Sequence, residues 1–381
     1  MPQVYSAIAC NLDADILGAS LPLFEAGGVE AIEWSFDALY NVDEIPGWFQ
    51  QLLQVYSAEK RLIGHGVFFS LFSGKWLPEQ EAWLKTLRTV SKVFPFDHIT
   101  EHFGYMTGED FHKGAPLAIP YTPATLAIGI DRLKRIQDAC HCPVGLENLA
   151  FAYSIDDVKR HGDFLLQLVE SVNGFIILDL HNVYCQTQNF NIPFKELANL
   201  YPLHRVREVH ISGGSWEPSV AETGVTVRRD THDDGVPAEV FEYLETVIPL
   251  CPNLKFVTME QLGIGLKTEE SKYQFRKDFE QMQEIVAGRK IQLHAQELLN
   301  DFLFPQSENI LPEKPLEDEL LFQQQRQLSE ILEMATSVAG ARQQLQSSLL
   351  AHTDWNTENW KAAMLETAIN IAQKWKRGWE V

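Results

Sequence analysis

GFIILDL, residues 174–180, decides the fold. Four large apolar residues, Phe175 to Leu178, run straight into the carboxylate of Asp179. A run this short, apolar on both faces, fits a strand covered on both sides, as strands of parallel sheets are. Ending such a strand in a side chain with a high desolvation cost asks for a reason beyond packing. The same figure recurs along the chain in LIGHGV (His65), HITEHF (His102), PVGLENL (Glu147), VREVHIS (His210) and KFVTMEQ (Glu260). Two earlier runs, VYSAIAC and AIEWSF, bring the strand-like segments to eight before about residue 262.

Segments with helical spacing lie between these runs, at 41–58, 78–93, 122–139, 154–171 and 236–247. TPATL and SIDDV carry helix-start chemistry, since the Thr122 and Ser154 hydroxyls can accept a backbone N–H of the first turn. Eight alternations of buried strand and helix predict an α/β fold, a (β/α)8 TIM barrel. Such a barrel takes about 250 residues, and its reactive groups stand at the C-terminal strand ends because side chains fill the interior. The histidines and carboxylates named above occupy those ends. The expected organisation is a barrel domain over 1–288 and a helical C-terminal extension over 289–381. Within the extension a Pro-containing break, PQSENILPEKPLEDE, precedes two or three amphipathic helices. These helices are expected to cap the barrel or to dock a partner or peptide.

A formal charge of −21, from 52 acidic and 31 basic side chains, repels nucleic-acid backbones. No run approaches the ~20 apolar residues of a membrane span, and the N-terminus shows no secretory leader. No nucleic-acid or membrane partner is therefore expected. Five cysteines (Cys10, Cys140, Cys142, Cys185, Cys251) show no zinc-type double pair, and free thiols in a cytoplasmic protein are expected.

Histidine and carboxylate at strand ends, without cysteine, suit Fe, Mn or Zn. The donors exceed what one ion takes, about three or four protein ligands, so two or three metals are expected. Glu147, midway round the barrel, could bridge two of them. Crowded carboxylates would otherwise raise one another's pKa. Asp230 and His232 in the loop RRDTHDDG add a further pair.

The chain also resembles a known family, the multinuclear non-heme iron-dependent oxidative enzymes that include the methanobactin-biosynthesis iron enzyme. The resemblance rests on HGVFFSL, TEHF with GYMTG, LAIPYTP, GLENLAFAY, IILDLHNVYCQTQNF, VREVHISGG, the triplet Asp230-Thr231-His232 and TMEQ, spanning His65 to Glu260. It implies a barrel of the xylose isomerase and endonuclease IV kind. It implies His65 and His102 as ligands of one iron and Glu147 as a bridging carboxylate. Asp179, His210 and Glu260 would hold a second iron, and Asn182 with Asp230 and His232 a third. Glu147 and His181 are the implied catalytic residues, His181 as a supporting group or proton carrier where the family commonly has Asn. The implied cofactors are two or three irons in mixed Fe(II)/Fe(III) states, with O2 as co-substrate. AIACNLDAD on the first strand, EWSFDALY on the second and MEQL at the last depart from the family pattern, although EWSFDALY keeps Glu33.

The resulting expectation is O2-dependent oxidative modification of a cysteine-containing peptide or amino-acid-derived substrate, as in natural-product biosynthesis. A leader peptide or small partner protein would bind through the C-terminal helices. The alternative is a divalent-metal sugar or hydroxy-acid isomerase on the same barrel. A phosphodiesterase is disfavoured by the charge and the lack of a basic stripe. Trp34, Phe68, Phe103, Tyr105, Phe151, Tyr184 and Trp216 are candidate pocket aromatics, and Gly213-Gly214 could let substrate approach.

Overall fold

The computed structural model describes residues 3–37, 45–107, 116–288, 299–302 and 311–376. Eight parallel strands close a barrel: β1 (Tyr5–Ala9), β2 (Ala31–Trp34), β3 (Leu62–Gly66), β4 (His98–His102), β5 (Val144–Glu147), β6 (Phe175–Asp179), β7 (Val206–Ile211) and β8 (Phe256–Met259). Each strand neighbours the next in sequence, and β8 returns to pair with β1. The intervening helices are α1 (Ala14–Glu25), α2 (Gly47–Ala58), α3 (Pro78–Val93), α4 (Pro123–Cys140), α5 (Ile155–Glu170), α6 (Leu180–Phe190) and α7 (Ala238–Val247), with α8 (Glu269–Gly288) after the last strand.

Local chemistry sets the helix starts. Thr122 Oγ1 accepts Thr125 N–H ahead of α4, and Ser154 Oγ accepts Asp157 N–H ahead of α5, as TPATL and SIDDV predict. The helix expected from residue 41 begins only at Gly47. Pro46 stands extended ahead of it, and Ile45 before the proline is disfavoured from the α region; residues 41–44 lie outside the described part.

Strand alternation then decides what fills the barrel. A lower layer packs Ala7, Ala31, Ile63 and Phe256 against one another, all fully buried. Above it the same inner faces turn polar, with His98, Thr100, Glu208, Thr258 and finally the strand-end groups. Register brings these together: His102 pairs with Glu147, and Asp179 with His210. The apolar core lies between strands and helices, where each fully buried large side chain contributes about 1.5–3 kcal/mol.

Three further helices follow: α9 (Glu319–Met334), α10 (Val338–Gln346) and α11 (Ala362–Lys376). They join the same core through Leu328, Leu332, Leu365 and Ala368. All five cysteines are free thiols. Among the described residues no helix is long and apolar enough to cross a membrane.

Candidate metal centre

His65 on β3, His102 at the end of β4 and Glu147 at the end of β5 form one group. His65 Nε2 lies 3.1 Å from His102 Nε2, and Glu147 Oε2 lies 3.4 Å from the former and 3.1 Å from the latter. Thr100, two residues before His102 on the same inner face, orients the first imidazole. Its hydroxyl donates to Gly64 O at 3.3 Å and accepts from His65 Nδ1 at 2.8 Å, which turns Nε2 toward the group.

Glu147, Asp179, His210 and Glu260 form a second group. His210 Nδ1 lies 3.2 Å from Glu260 Oε2 and 3.8 Å from Glu147 Oε1. The two oxygens of Glu147 thus face different groups, Oε2 toward His65 and His102, Oε1 toward His210. Asp179 caps α6 through the Asn182 N–H at 2.5 Å, while the Asn148 amide clasps the Asp179 backbone on both sides. The strand-to-helix junction therefore fixes both Asp179 and Asn182. Asn182 Nδ2 donates to Glu147 Oε1 at 3.2 Å and to Asn148 O at 2.7 Å, leaving Oδ1 without a partner.

The loop after Arg228 brings in Asp230 and His232, 2.9 Å apart through Oδ1 and Nε2. Asp230 Oδ1 also receives His181 Nδ1 at 2.8 Å, and Arg228 donates to His181 Nε2 at 3.2 and 3.1 Å. His181 is fully buried with both nitrogens engaged, so it orients Asp230. The Gly213-Gly214 turn makes room for this loop. A Cβ at Gly214 would meet Arg229 O at 2.2 Å, and one at Gly213 would meet Gly235 O at 2.2 Å.

The mouth is short of positive charge. Among the described residues no Lys or Arg forms an ion pair with Glu33, Glu147, Asp179, Asp230 or Glu260. Histidines must therefore supply it. Burial opposes a charge on His65, yet Glu33, Glu147 and Glu260 outweigh it and raise the imidazole from 6.5 to about 10. His232 likewise rises to about 10 against burial, through Asp230, Glu260 and Asp179. For Asp179 the help of His210 is too small: burial, then the charges of Asp230, Glu147 and Glu260, push its carboxyl well above the ordinary range. Buried atoms without a well-formed hydrogen bond mark the same place: Asp179 Oδ2 and Asn182 Oδ1, and also Glu147 Oε2 and both nitrogens of His210, which meet only the ion-pair contacts given above and below. Convergent oxygen and imidazole donors with unmet acceptor capacity fit bound cations.

Sequence reasoning gave Glu33 little weight and missed Glu208. Both carboxylates face His210 Nε2, at 3.1 and 3.4 Å, and with His210 they form a third cluster of ligand type. Glu208 and His210 stand two apart on one strand, and that spacing alone places both inside the barrel. Of the candidate aromatics, Phe151 lines a cavity of about 290 Å³ over His102, Glu147, Asp230 and His232. Trp34, Phe103 and Tyr105 belong instead to the core between strands and helices. Tyr184 and Trp216 carry the Arg228 guanidinium, at 5.3 and 5.4 Å from their rings.

A closed (β/α)8 barrel with carboxylates and imidazoles converging at its C-terminal mouth is the architecture of a metal-dependent barrel enzyme. The profile of the RiPP precursor modification enzyme family MbnB/TglH/ChrH matches residues 34–260, and the chain belongs to that family. A UPF0276 protein of Caulobacter vibrioides is 26% identical over 183 residues, covering 48% of this chain and 62% of that protein. Another, from Chromobacterium violaceum, is 28% identical over 185 residues, covering 48% and 64%. The chain thus spans less than two thirds of either relative. Among solved structures, the IOLI protein with a bound zinc atom aligns at TM-score 0.48 and 14% identity, over 74% of this chain and 98% of that one. D-psicose 3-epimerase from Clostridium cellulolyticum H10 aligns at 0.46 and 11%, over 74% and 97%.

Proposed function

We propose that this chain is a multinuclear non-heme iron enzyme that, with O2 as co-substrate, oxidatively modifies a cysteine-containing peptide or amino-acid-derived substrate. The observation that carries the reading is Glu147, whose two oxygens face two separate donor groups. His65, His102 and Glu147 are the two-imidazole, one-carboxylate set that suits ferrous iron. Asp179, His210 and Glu260 would share Glu147 and hold a second ion; Asn182, Asp230 and His232 would hold a third. Membership of a peptide-modifying family supports a peptide substrate.

Bound iron would supply the one-electron chemistry and the activation of O2 that no side chain here provides. The chain's own residues do the positioning. Thr100 holds the His65 ring so that Nε2 faces the ion site. Glu33 and Glu208 face His210 Nε2, favouring the proton there and leaving Nδ1 for the ion. Arg228 donates to His181 Nε2, which keeps the His181 proton on Nδ1 and directed at Asp230. Val67, Phe151, Val227 and Leu262 give the cavity above an apolar wall beside the reacting group.

The test is protein purified without oxygen from iron-supplemented cells, analysed for metal and by Mössbauer and EPR spectroscopy. Two or three irons per chain with an exchange-coupled mixed-valence signal is the expected result. Zinc or manganese alone would move the assignment to isomerase chemistry. Turnover of a thiol peptide in the strict absence of O2 would remove the oxidative reading.

A further inference from the structure

Helix α11 lies about a hundred residues beyond the part of the chain that the family profile matches, yet it reaches into the mouth of the barrel. Met364, Thr367, Ile371, Lys374 and Trp375 line the same cavity as His102, Glu147, Asp230 and His232. The helix is held there by polar anchors. Glu222 Oε1 accepts the Ala362 and Ala363 N–H groups at 3.0 and 3.3 Å, capping its first turn. Glu366 accepts from Ser219 Oγ at 2.6 Å and from the Val220 and Ala221 N–H groups at 3.0 and 3.2 Å. Asn370 Nδ2 donates to Glu217 Oε1 at 3.0 Å. Ahead of the helix, Trp360 stacks on Tyr153 with ring centroids 3.7 Å apart. The anchors lie on the hairpin Trp216–Pro218 with Thr226–Arg228, which leads directly into the Asp230 and His232 loop.

Charge at the cavity is uneven. Three cations line it in a chain of net charge −21. Arg228 is engaged by His181, and Arg229 by Glu217. Lys374 stands exposed at the rim and enters no ion pair among the described residues.

We propose that α11 is the specificity-determining roof of the substrate chamber. Met364, Ile371 and Trp375 receive an apolar group, and Lys374 receives an anionic group at the rim. What enters beneath the tail is thus a compact amphiphilic anion, either one side of a peptide or an amino-acid-derived molecule of the class proposed above. That this chamber serves catalysis rests on the reading of the mouth as an active site; the binding chemistry does not depend on which metal is held.

Fluorescence titration of the full-length protein with anilinonaphthalenesulfonate, an apolar ring system carrying one anion, tests the roof. One saturable site is expected. Lys374→Glu weakens it about tenfold, equivalent to about 1.4 kcal/mol, and the loss shrinks in high salt as charges are screened. Ile371→Trp fills the chamber and removes the site. Lys376→Glu makes the same charge change on the same helix, at a residue paired with Glu333, and leaves binding unchanged. Unaltered binding in both Lys374→Glu and Ile371→Trp overturns the proposal, as does equal weakening by Lys376→Glu. Metal content of the same samples reports separately on the catalytic reading. Protein without iron that still shows the Lys374 effect would sink that reading and keep the roof.

Discussion

The mouth and the floor of this barrel are made from the same residue types and meet opposite electrostatic fates. At the floor, Asp97 accepts from Arg207 at 2.9 Å and His98 Nδ1 at 3.0 Å, and also pairs with Lys255. His98 Nε2 meets Glu208 at 2.8 Å, and Thr258 donates to the other Glu208 oxygen at 2.6 Å. Burial alone would raise the Asp97 carboxyl, but His98, Arg207 and Lys255 outweigh it and hold it below the usual carboxylate range. Among the described residues the mouth carboxylates pair with imidazoles but with no Lys or Arg, and several of their atoms have no hydrogen bond. What separates a site from a structural network is therefore the missing counter-charge, not the presence of buried His, Asp and Glu.

That contrast can be broken most forcefully at the floor. Asp97→Asn removes the anion from a buried, multiply paired cluster, which typically costs about 3–5 kcal/mol. A Tm about 4–6 °C lower, with metal content unchanged, is the expected result. Loss of metal with unchanged Tm would mean that floor and mouth are not separate systems. Glu147→Gln asks the converse. It keeps the shape of the shared carboxylate and removes its charge, so metal affinity should fall by more than about 100-fold, because changes one step further from an ion already cost about 10–100-fold. Elemental analysis after iron supplementation checks it; full metal loading would sink the bridging assignment. Asp179→Asn carries a subtler expectation. Its carboxyl is raised by burial and by neighbouring anions, so in metal-free protein its ionised form is a liability at neutral pH. The amide keeps an acceptor for Asn182 N–H, so denaturant melts of metal-stripped protein should show a higher unfolding free energy than the parent. A loss instead would show that Asp179 is already compensated.

The barrel was legible from its strand runs because a parallel sheet buried on both faces leaves short, wholly apolar segments that no other element produces so regularly. His65, His102, Glu147, Asp179, His210 and Glu260 were legible because each ends such a run, and the structure brings them to one level. Asp230 and His232 stood out as a polar pair in RRDTHDDG, but Asn182 and the grouping of the three followed only from resemblance, since a loop's path cannot be read from periodicity. Hidden altogether were the effects that depend on relative placement across the barrel. Glu208 reads as an ordinary charged residue in VREVHIS until its strand face is considered. Arg228 becomes informative only once a hairpin carries it onto His181. The roof made by α11 joins residues some 260 positions apart, such as His102 and Met364, and no local pattern signals that meeting.

His161 isolates the effect of burial from that of charge, and so sharpens the comparison at its smallest scale. It sits against Phe103, with ring centroids 4.5 Å apart, and its Nε2 accepts Leu149 N–H at 3.2 Å. Among the described residues no carboxylate pairs with it, and burial alone lowers its pKa from 6.5 to about 3, whereas His65 and His232, facing carboxylates, rise to about 10. The sign of its contribution to stability follows. Above pH 6.5 both folded and unfolded forms are neutral and the group contributes nothing. Below that the unfolded chain takes up a proton that the folded one refuses, so stability falls as the pH drops toward 3. Between pH 7 and 5.5 the loss is about 1 kcal/mol. His161→Gln keeps an acceptor for Leu149 N–H and cannot titrate, so its urea-unfolding free energy should lack that decline. Parallel pH profiles for the two proteins would show that His161 charges within the fold, and that burial without a counter-ion does not hold a histidine neutral here.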